Sequence, residues 1–230
     1  RLLAESALTL YRLGNNREAA ARCKRALALI AREADVESRI DAAGLHRNLG
    51  SALYGLGRFA DAYEQHRLAY SIHNELGLTY RAYEDYDHMG VAQRNLGNYE
   101  EAIKYHEGAL QHFQAAGQQS GIAGASLNLG VALHVLGRLD AAAIHYQVAL
   151  QTFGDLGNVL GLVASCSNLG ELNLDRGQHE DALMMLNRAL RESEAVGEKE
   201  YRPAILVLLG QAHAFLGHAA LAKDCLTEAV

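Results

Sequence analysis

Histidine and cysteine are the residue types in this sequence that most readily bind metals or act in catalysis. The chain has 11 histidines and three cysteines in 230 residues. No histidines form an HExxH motif, and no pair is accompanied by a cysteine or carboxylate at ligand spacing. Cys23, Cys166 and Cys225 are far apart and odd in number, which argues against a zinc site or a disulfide framework. The sequence predicts no metal, no cofactor, and free, at least partly buried thiols in a reducing cytoplasm.

Two glycine-rich segments, GDLGNVLG and GIAGASLNLG, are similar in composition to nucleotide-binding loops. Neither contains the Lys-Ser or Lys-Thr pair of a P-loop, and no GxSxG motif offers a nucleophile. His66 and His106 occupy the same position of a repeat, which favours a packing or surface role. The sequence therefore predicts that the chain is not an enzyme.

Asparagine recurs at an interval of 40 residues. The positions concerned are Asn48, His88, Asn128, Asn168 and Leu208. A primary amide offers two donors and an acceptor, so it can pair with the N–H and C=O of an extended peptide backbone. One interpretation is a ladder of amides that holds a peptide. The alternative is that these amides bond to neighbouring helices or to water.

The asparagines belong to a longer repeated phrase. Two glycine columns share its 40-residue interval: Gly50, Gly90, Gly130, Gly170, Gly210 and Gly57, Gly97, Gly137, Gly177, Gly217. Two alanine columns follow, beginning at Ala62 and Ala69, and an earlier copy starts near Gly14. A fixed period of this length is typical of a solenoid.

Each repeat is predicted to contain two helices. Leu45, Leu49 and Leu53 lie on one side of a helix at 100° per residue. The second glycine column is expected to end that helix, because glycine adopts the left-handed conformation without a Cβ penalty. The first glycine column lies in mid-helix, where glycine costs about 1 kcal/mol relative to alanine. This cost predicts a close approach of the paired helix, with the alanine columns as the facing small residues.

These columns resemble the tetratricopeptide repeat family. Leu-Gly, a large apolar or aromatic residue three positions later, and then Ala and Ala-Leu recur over essentially the whole chain. The early tryptophan is replaced by residues such as His46, and the only proline is Pro203. The long period is similar to that of Pins-type adaptors, kinesin light chains and bacterial regulators with repeat sensor arms. The resemblance implies an all-α, right-handed α-solenoid of about six helix-turn-helix units, forming a single domain over residues 1–230.

In this family the first helices of successive repeats line a concave groove, and the resemblance implies a peptide or partner protein there. The face opposite the apolar stripe provides the candidate binding residues. They are Arg47, Asn48, Ser51, Tyr54, Asp87, His88, Arg94, Asn95, Leu127, Asn128, Val131, His134, Asn168, Glu171, Asp175 and Phe215.

Charge is uneven along the predicted groove. Arg12, Arg47 and Arg94 lie towards one end, and Glu171 and Asp175 towards the other, so a peptide with the opposite charge order would be complementary. Ordinary solvated side chains are the other interpretation. The net charge of −6 and the absence of a basic block argue against nucleic-acid binding, and no apolar run is long enough to span a membrane.

The predicted function is that of a protein–protein interaction module, acting as an adaptor or as the sensor arm of a larger regulator. Self-association is an alternative, because the final helix, ALAKDCLTEAV, has no following repeat to cover its apolar face. Binding of a small-molecule effector is a further alternative. The chain lacks an initial methionine and stops within a predicted helix, so we expect it to be a segment of a longer protein.

Overall fold

The computed structural model describes residues 9–11, 13–30, 35–197 and 199–229. Every regular element in these ranges is an α-helix, which confirms the predicted all-α fold. The helices form two compact units, residues 1–116 and residues 117–230.

In the first unit, each helix packs against the next one along the chain. The helices are α1 (Asn16–Ile30), α2 (Val36–Gly55), α3 (Phe59–Glu75), α4 (Thr79–Asn95) and α5 (Tyr99–Ala115). Helices α2 and α3 form one hairpin, and α4 and α5 form the next.

The second unit contains three helix hairpins. Its helices are α6 (Gln119–Val135), α7 (Leu139–Asp155), α8 (Val159–Asp175), α9 (His179–Ala195), α10 (Arg202–Phe215) and α11 (Ala219–Glu228). Besides the sequential contacts, α6 touches α8 and α8 touches α10. The first helices of the three hairpins therefore lie side by side, and we call α6, α8 and α10 the inner helices.

Glycine ends the helices as the sequence predicts. At the end of α2, Gly57 has a φ of +72°, which residues with a Cβ rarely adopt. Its N–H donates to the carbonyl of Tyr54, and the N–H of Arg58 donates to the carbonyl of Leu53, both at 2.9 Å. These two hydrogen bonds satisfy carbonyl groups that would otherwise be unpaired at the end of the helix.

The mid-helix glycines form hollows that receive large side chains from the second helix of the hairpin. A Cβ built on Gly130 would lie 2.6 Å from the ring of Tyr146, and one on Gly170 would lie 2.5 Å from Leu186. His66, His106 and Leu226 meet Gly50, Gly90 and Gly210 in the same way. The packing of each hairpin thus requires glycine at this position, because a Cβ would occupy the space that the large side chain fills.

The structure corrects the expected partners of these glycines. Helices approach closely, as predicted, but a large residue rather than an alanine fills each hollow. In the first four hairpins the alanines of both columns, beginning with Ala62 and Ala69, are fully buried around it. Small residues on the second helix allow the backbones to approach, and the large residue then fills the space that glycine leaves.

Replacing Gly130 by alanine should destabilise the protein. The added methyl group would lie 2.6 Å from Tyr146, which is only 1% exposed and has little room to move. We expect a loss of about 1–3 kcal/mol in the free energy of unfolding, measured by urea denaturation.

Gly124 provides a matched control in the same helix. No atom lies within 4 Å of a Cβ at this position, so Gly124→Ala should stabilise the protein by about 0.5–1 kcal/mol. A Gly130→Ala variant that is as stable as Gly124→Ala would contradict the steric role of the hollow.

Candidate functional site

A cavity of about 270 Å³ lies between two inner helices of the second unit, α8 and α10. It opens to solvent and lies on the face that the sequence assigns to binding. Its lining residues are Ala164, Ser167, Asn168, Glu171, Tyr201, Ala204, Ile205 and Leu208. We refer to this cavity as the α8–α10 pocket.

The two walls of the α8–α10 pocket differ in chemistry. Helix α8 contributes most of the polar groups, whereas α10 contributes Ala204, Ile205 and Leu208. Tyr201 lies immediately before α10 and is 37% exposed. One wall can therefore form hydrogen bonds and the other can cover an apolar side chain.

Asn168 is a polar residue of the pocket whose side chain can still form hydrogen bonds with a ligand. Its side chain is half-buried and forms no hydrogen bond with the residues that the structure describes. The hydroxyl of Ser167, by contrast, donates to the carbonyl of Val163 at 2.9 Å. Glu171 is exposed, one turn beyond Asn168, and no described residue forms an ion pair with it. The pocket thus presents an amide and a carboxylate to solvent.

The sequence predicts Asn168 and Glu171 as site residues, and the structure brings both to the pocket. Tyr201, Ala204 and Ile205, which also line the pocket, are not among the predicted residues. A signal was present, because Ala204 lies one turn before Leu208, the residue in the asparagine column of that repeat. Extending the predicted face by one turn towards the helix start would have included it.

Other predicted residues of the second unit lie outside the pocket. The Nε2 of His134 lies 2.9 Å from a carboxylate oxygen of Asp175, and its Nδ1 lies 3.3 Å from the hydroxyl of Tyr146. Phe215 is 67% exposed and stacks on His179, with ring centroids 4.6 Å apart. The contacts of His134 with Asp175 and of Phe215 with His179 join neighbouring hairpins, whereas His134 and Tyr146 belong to the same hairpin.

Three further predicted residues lie on α6. Leu127 packs against the hydrophobic core of the second unit. Asn128 and Val131 are half-buried. The predicted face of α6 is therefore partly taken up by packing.

In the first unit, Arg47 is already engaged by the protein. Its guanidinium donates to Asp85 at 2.6 Å, to Glu84 at 2.8 Å and to the carbonyl of Arg81 at 2.7 Å. Asp85 is fully buried, and its other oxygen lies 2.6 Å from the Nδ1 of His73. Arg47 therefore joins α2 to α4 and neutralises a buried carboxylate, so its charge is not open to a ligand.

Asp87 points away from the predicted binding face. It is 8% exposed, and its carboxylate lies 2.6 Å from the Nδ1 of His106, which is fully buried. Helical periodicity places Asp87 on the open side, but its short side chain reaches the partner helix. This carboxylate is a structural group within the α4–α5 hairpin.

Three further predicted residues of the first unit, Ser51, Tyr54 and Asn95, lie near the surface of α2 and α4. The side chain of Asn95 donates to the hydroxyl of Tyr54 at 3.1 Å and to the carbonyl of Val91 at 2.8 Å. Ser51 donates to the carbonyl of Arg47 at 3.3 Å. These bonds stay within the unit.

Asn48 and Arg94 are predicted site residues of the first unit whose polar groups remain open. Both are half-buried, and neither forms a hydrogen bond or ion pair among the described residues. Arg12, which contributes to the predicted charge pattern, lies outside the described residues. Among the predicted site residues, an asparagine and a charged residue of each unit therefore have no described partner: Asn48 and Arg94 in the first unit, and Asn168 and Glu171 in the second.

His88, from the asparagine column, lies against a buried histidine. Its ring centroid is 5.0 Å from that of His66, which is only 3% exposed. Burial lowers the pKa of His66 well below its usual value, and the nearby charges of His88 and Arg47 lower it further. The Nδ1 of His66 finds no hydrogen-bond partner within the described ranges.

The remaining reactive groups do not cluster. Among the described residues, no three His, Cys, Asp or Glu side chains are placed to hold a metal ion. Cys23 and Cys166 are buried, Cys225 is half-buried, and all three are free thiols. Burial raises the pKa of Cys23 to about 11. No helix in the described ranges is long and apolar enough to cross a membrane.

The family model described as tetratricopeptide repeat matches residues 79–154 and 162–230. No curated protein matches the chain.

Several solved structures share the fold at low sequence identity. BtubC (BKLC) from P. vanneervenii has a TM-score of 0.77 and 20% identity, and the match covers 93% of this chain and 89% of that one. A Rap protein complexed with Competence and Sporulation Factor has a TM-score of 0.81 and 16% identity, and the match covers 99% of this chain and 67% of that one. NprR in complex with its cognate peptide NprX has a TM-score of 0.72 and 14% identity, and the match covers 99% of this chain and 66% of that one.

Acid should destabilise the protein through His66. Below about pH 6.5 the unfolded chain binds a proton at this residue that the folded chain does not, so the free energy of unfolding falls. Leucine fills the equivalent position at Leu186, so His66→Leu should fold and lose this contribution. We expect the free energy of unfolding of the variant, measured by urea denaturation, to fall less steeply between pH 7 and pH 5, with a difference in slope of up to about 1.4 kcal/mol per pH unit. Parallel curves for the two proteins would contradict this role of His66.

Proposed function

Because the chain belongs to the tetratricopeptide repeat family, we propose that it binds a peptide, or an extended segment of a partner protein, along its inner helices. In the second unit the binding surface is the α8–α10 pocket and the exposed face of α8 beside it. In the first unit it is the face of α2 and α4 that carries Asn48 and Arg94.

The observation that carries the proposal is the open amide of Asn168 at the α8–α10 pocket. The amide still reaches solvent at the pocket, and no described residue uses its donors or its acceptor, so they are available to a ligand in place of water. A peptide unit offers one donor and one acceptor, which match the two ends of a primary amide. The apolar wall on α10 would cover the side chain next to that peptide unit.

The size of the pocket favours a side chain over a whole small molecule. Its volume of about 270 Å³ is below the ~300–1,000 Å³ that is usual for small-molecule sites. An extended peptide needs no closed cavity, because it can place one residue in the pocket and the others along the helix face.

Two of the solved structures with this fold are described as peptide or factor complexes: Rap with Competence and Sporulation Factor, and NprR with NprX. They support a role as a sensing or adaptor arm that a bound peptide regulates. Such an arm would act on a larger protein or on a partner.

Self-association is a second candidate function. Helix α11 exposes Leu221 and Leu226 to solvent, at 49% and 44%. Isolated exposed leucines are normal, but two on one short helix favour a contact with another copy. Light scattering on the purified chain measures its molar mass. A dimer that becomes a monomer in Leu221→Glu would support self-association, and a monomeric wild-type chain would leave it without support.

Removing the amide of Asn168 should weaken peptide binding. Peptides would be selected from a phage-displayed random dodecapeptide library on the wild-type chain, then synthesised and titrated by fluorescence polarisation. We expect Asn168→Ala to raise Kd about 10- to 30-fold, because two hydrogen bonds with a net contribution of about 0.7–1 kcal/mol each are lost.

Asn187 provides the matched control. It lies exposed on α9, and its amide donates to the carbonyl of Leu183 in its own helix. Asn187→Ala should leave Kd unchanged. Selected peptides that bind Asn168→Ala as tightly as the wild type would show that the amide is not part of the binding surface.

A further inference from the structure

The inner helices of the second unit carry almost no positive charge. Helices α6 and α8 contain no lysine or arginine, and α10 contains only Arg202. Arg202 is engaged elsewhere, because it forms a hydrogen-bonded ion pair with Glu228 and lies 3.7 Å from Glu194. No cation on these helices is therefore placed to balance a carboxylate on the binding face.

Two carboxylates do lie on that face, both on α8. Asp175 already has a hydrogen-bonding partner, because the Nε2 of His134 lies 2.9 Å from one of its oxygens. Glu171 lines the α8–α10 pocket and has no ion-pair partner among the described residues. Glu171 is therefore the acidic group whose charge is most open to a ligand.

The wall opposite Glu171 is apolar. Ala204, Ile205 and Leu208 form it, with Tyr201 at the start of α10. An aliphatic stem that ends in a cation fits such a site, because the stem can lie on the apolar wall while the charged head reaches the carboxylate. Lysine and arginine have this form. An acidic side chain would face Glu171 without compensation.

We propose that the α8–α10 pocket is a subsite for a lysine or arginine side chain of the bound peptide. The subsite rests on the proposed function. Asn168 bonds to the peptide unit of that residue, α10 covers its methylene groups, and Glu171 accepts hydrogen bonds from its ammonium or guanidinium group. Asp175, one turn further along α8, adds negative potential at the same end.

The subsite is tested with the library described above, a phage-displayed random dodecapeptide library. Peptides selected on the wild-type chain should share one position enriched in lysine or arginine. Exchanging that residue for norleucine, which keeps the stem and removes the charge, should raise Kd about tenfold at 50 mM salt and less at 500 mM salt. This measurement uses only the wild-type protein, so it does not depend on whether a variant folds.

Charge reversal provides the second arm. Glu171→Lys should lose the selected peptides and, in a fresh selection, should enrich aspartate or glutamate at the same position. Glu180→Lys is the matched control, since it makes the same charge change at an exposed site in the first turn of α9. Peptide binding to this control should be within about twofold of the wild type.

The outcomes separate this subsite from the general function. Peptides that depend on Asn168 but show no basic preference, and that bind Glu171→Lys unchanged, would overturn the subsite and leave peptide binding standing. An equal loss of binding in Glu180→Lys and Glu171→Lys would reduce the effect to net charge and would also overturn the subsite. A library that yields no peptide dependent on Asn168 would overturn both proposals.

Discussion

Close packing of each helix hairpin around a single glycine is the constraint on which the rest of the structure depends. A large side chain from the second helix occupies the space where Gly50, Gly90, Gly130, Gly170 or Gly210 has no Cβ. This contact sets how closely the two helices approach, and hence which side of the first helix stays open. The inner face that holds Asn168 and Glu171 is the side that this contact leaves free. The position of the candidate site thus follows from packing on the opposite side of the same helix.

Much of the fold could be predicted because it rests on local rules that recur at a constant interval. Gly57 and its equivalents end helices through a conformation that only glycine adopts readily, so their positions indicate the hairpin length. The filling of the mid-helix hollow was harder to predict. Histidine, tyrosine and leucine all occur at that position, so residue type gave no common signal.

The location of a candidate side chain was predictable where that side chain acts alone and not where it pairs with a distant residue. Asn168 and Glu171 need only lie on the open face of α8, which helical periodicity indicates. Arg47 was placed on the open face as well, but Asp85 lies 38 residues later and neutralises it. Asp87 is drawn inward by His106. Such pairings depend on the spacing between helices, which a single sequence does not state.

The pairing of Arg47, Asp85 and His73 has a consequence for how the repeats find their order. In a chain of hairpins that share one pattern, one hairpin could dock against the wrong neighbour. The positions equivalent to Asp85 are Leu45, Ala125, Ser165 and Ile205, so the buried carboxylate occurs once. A hairpin docked out of order would bury Asp85 without its cation, which costs several kcal/mol. The polar cluster thus favours the native order of α2, α3 and α4 over an arrangement that buries Asp85 away from Arg47.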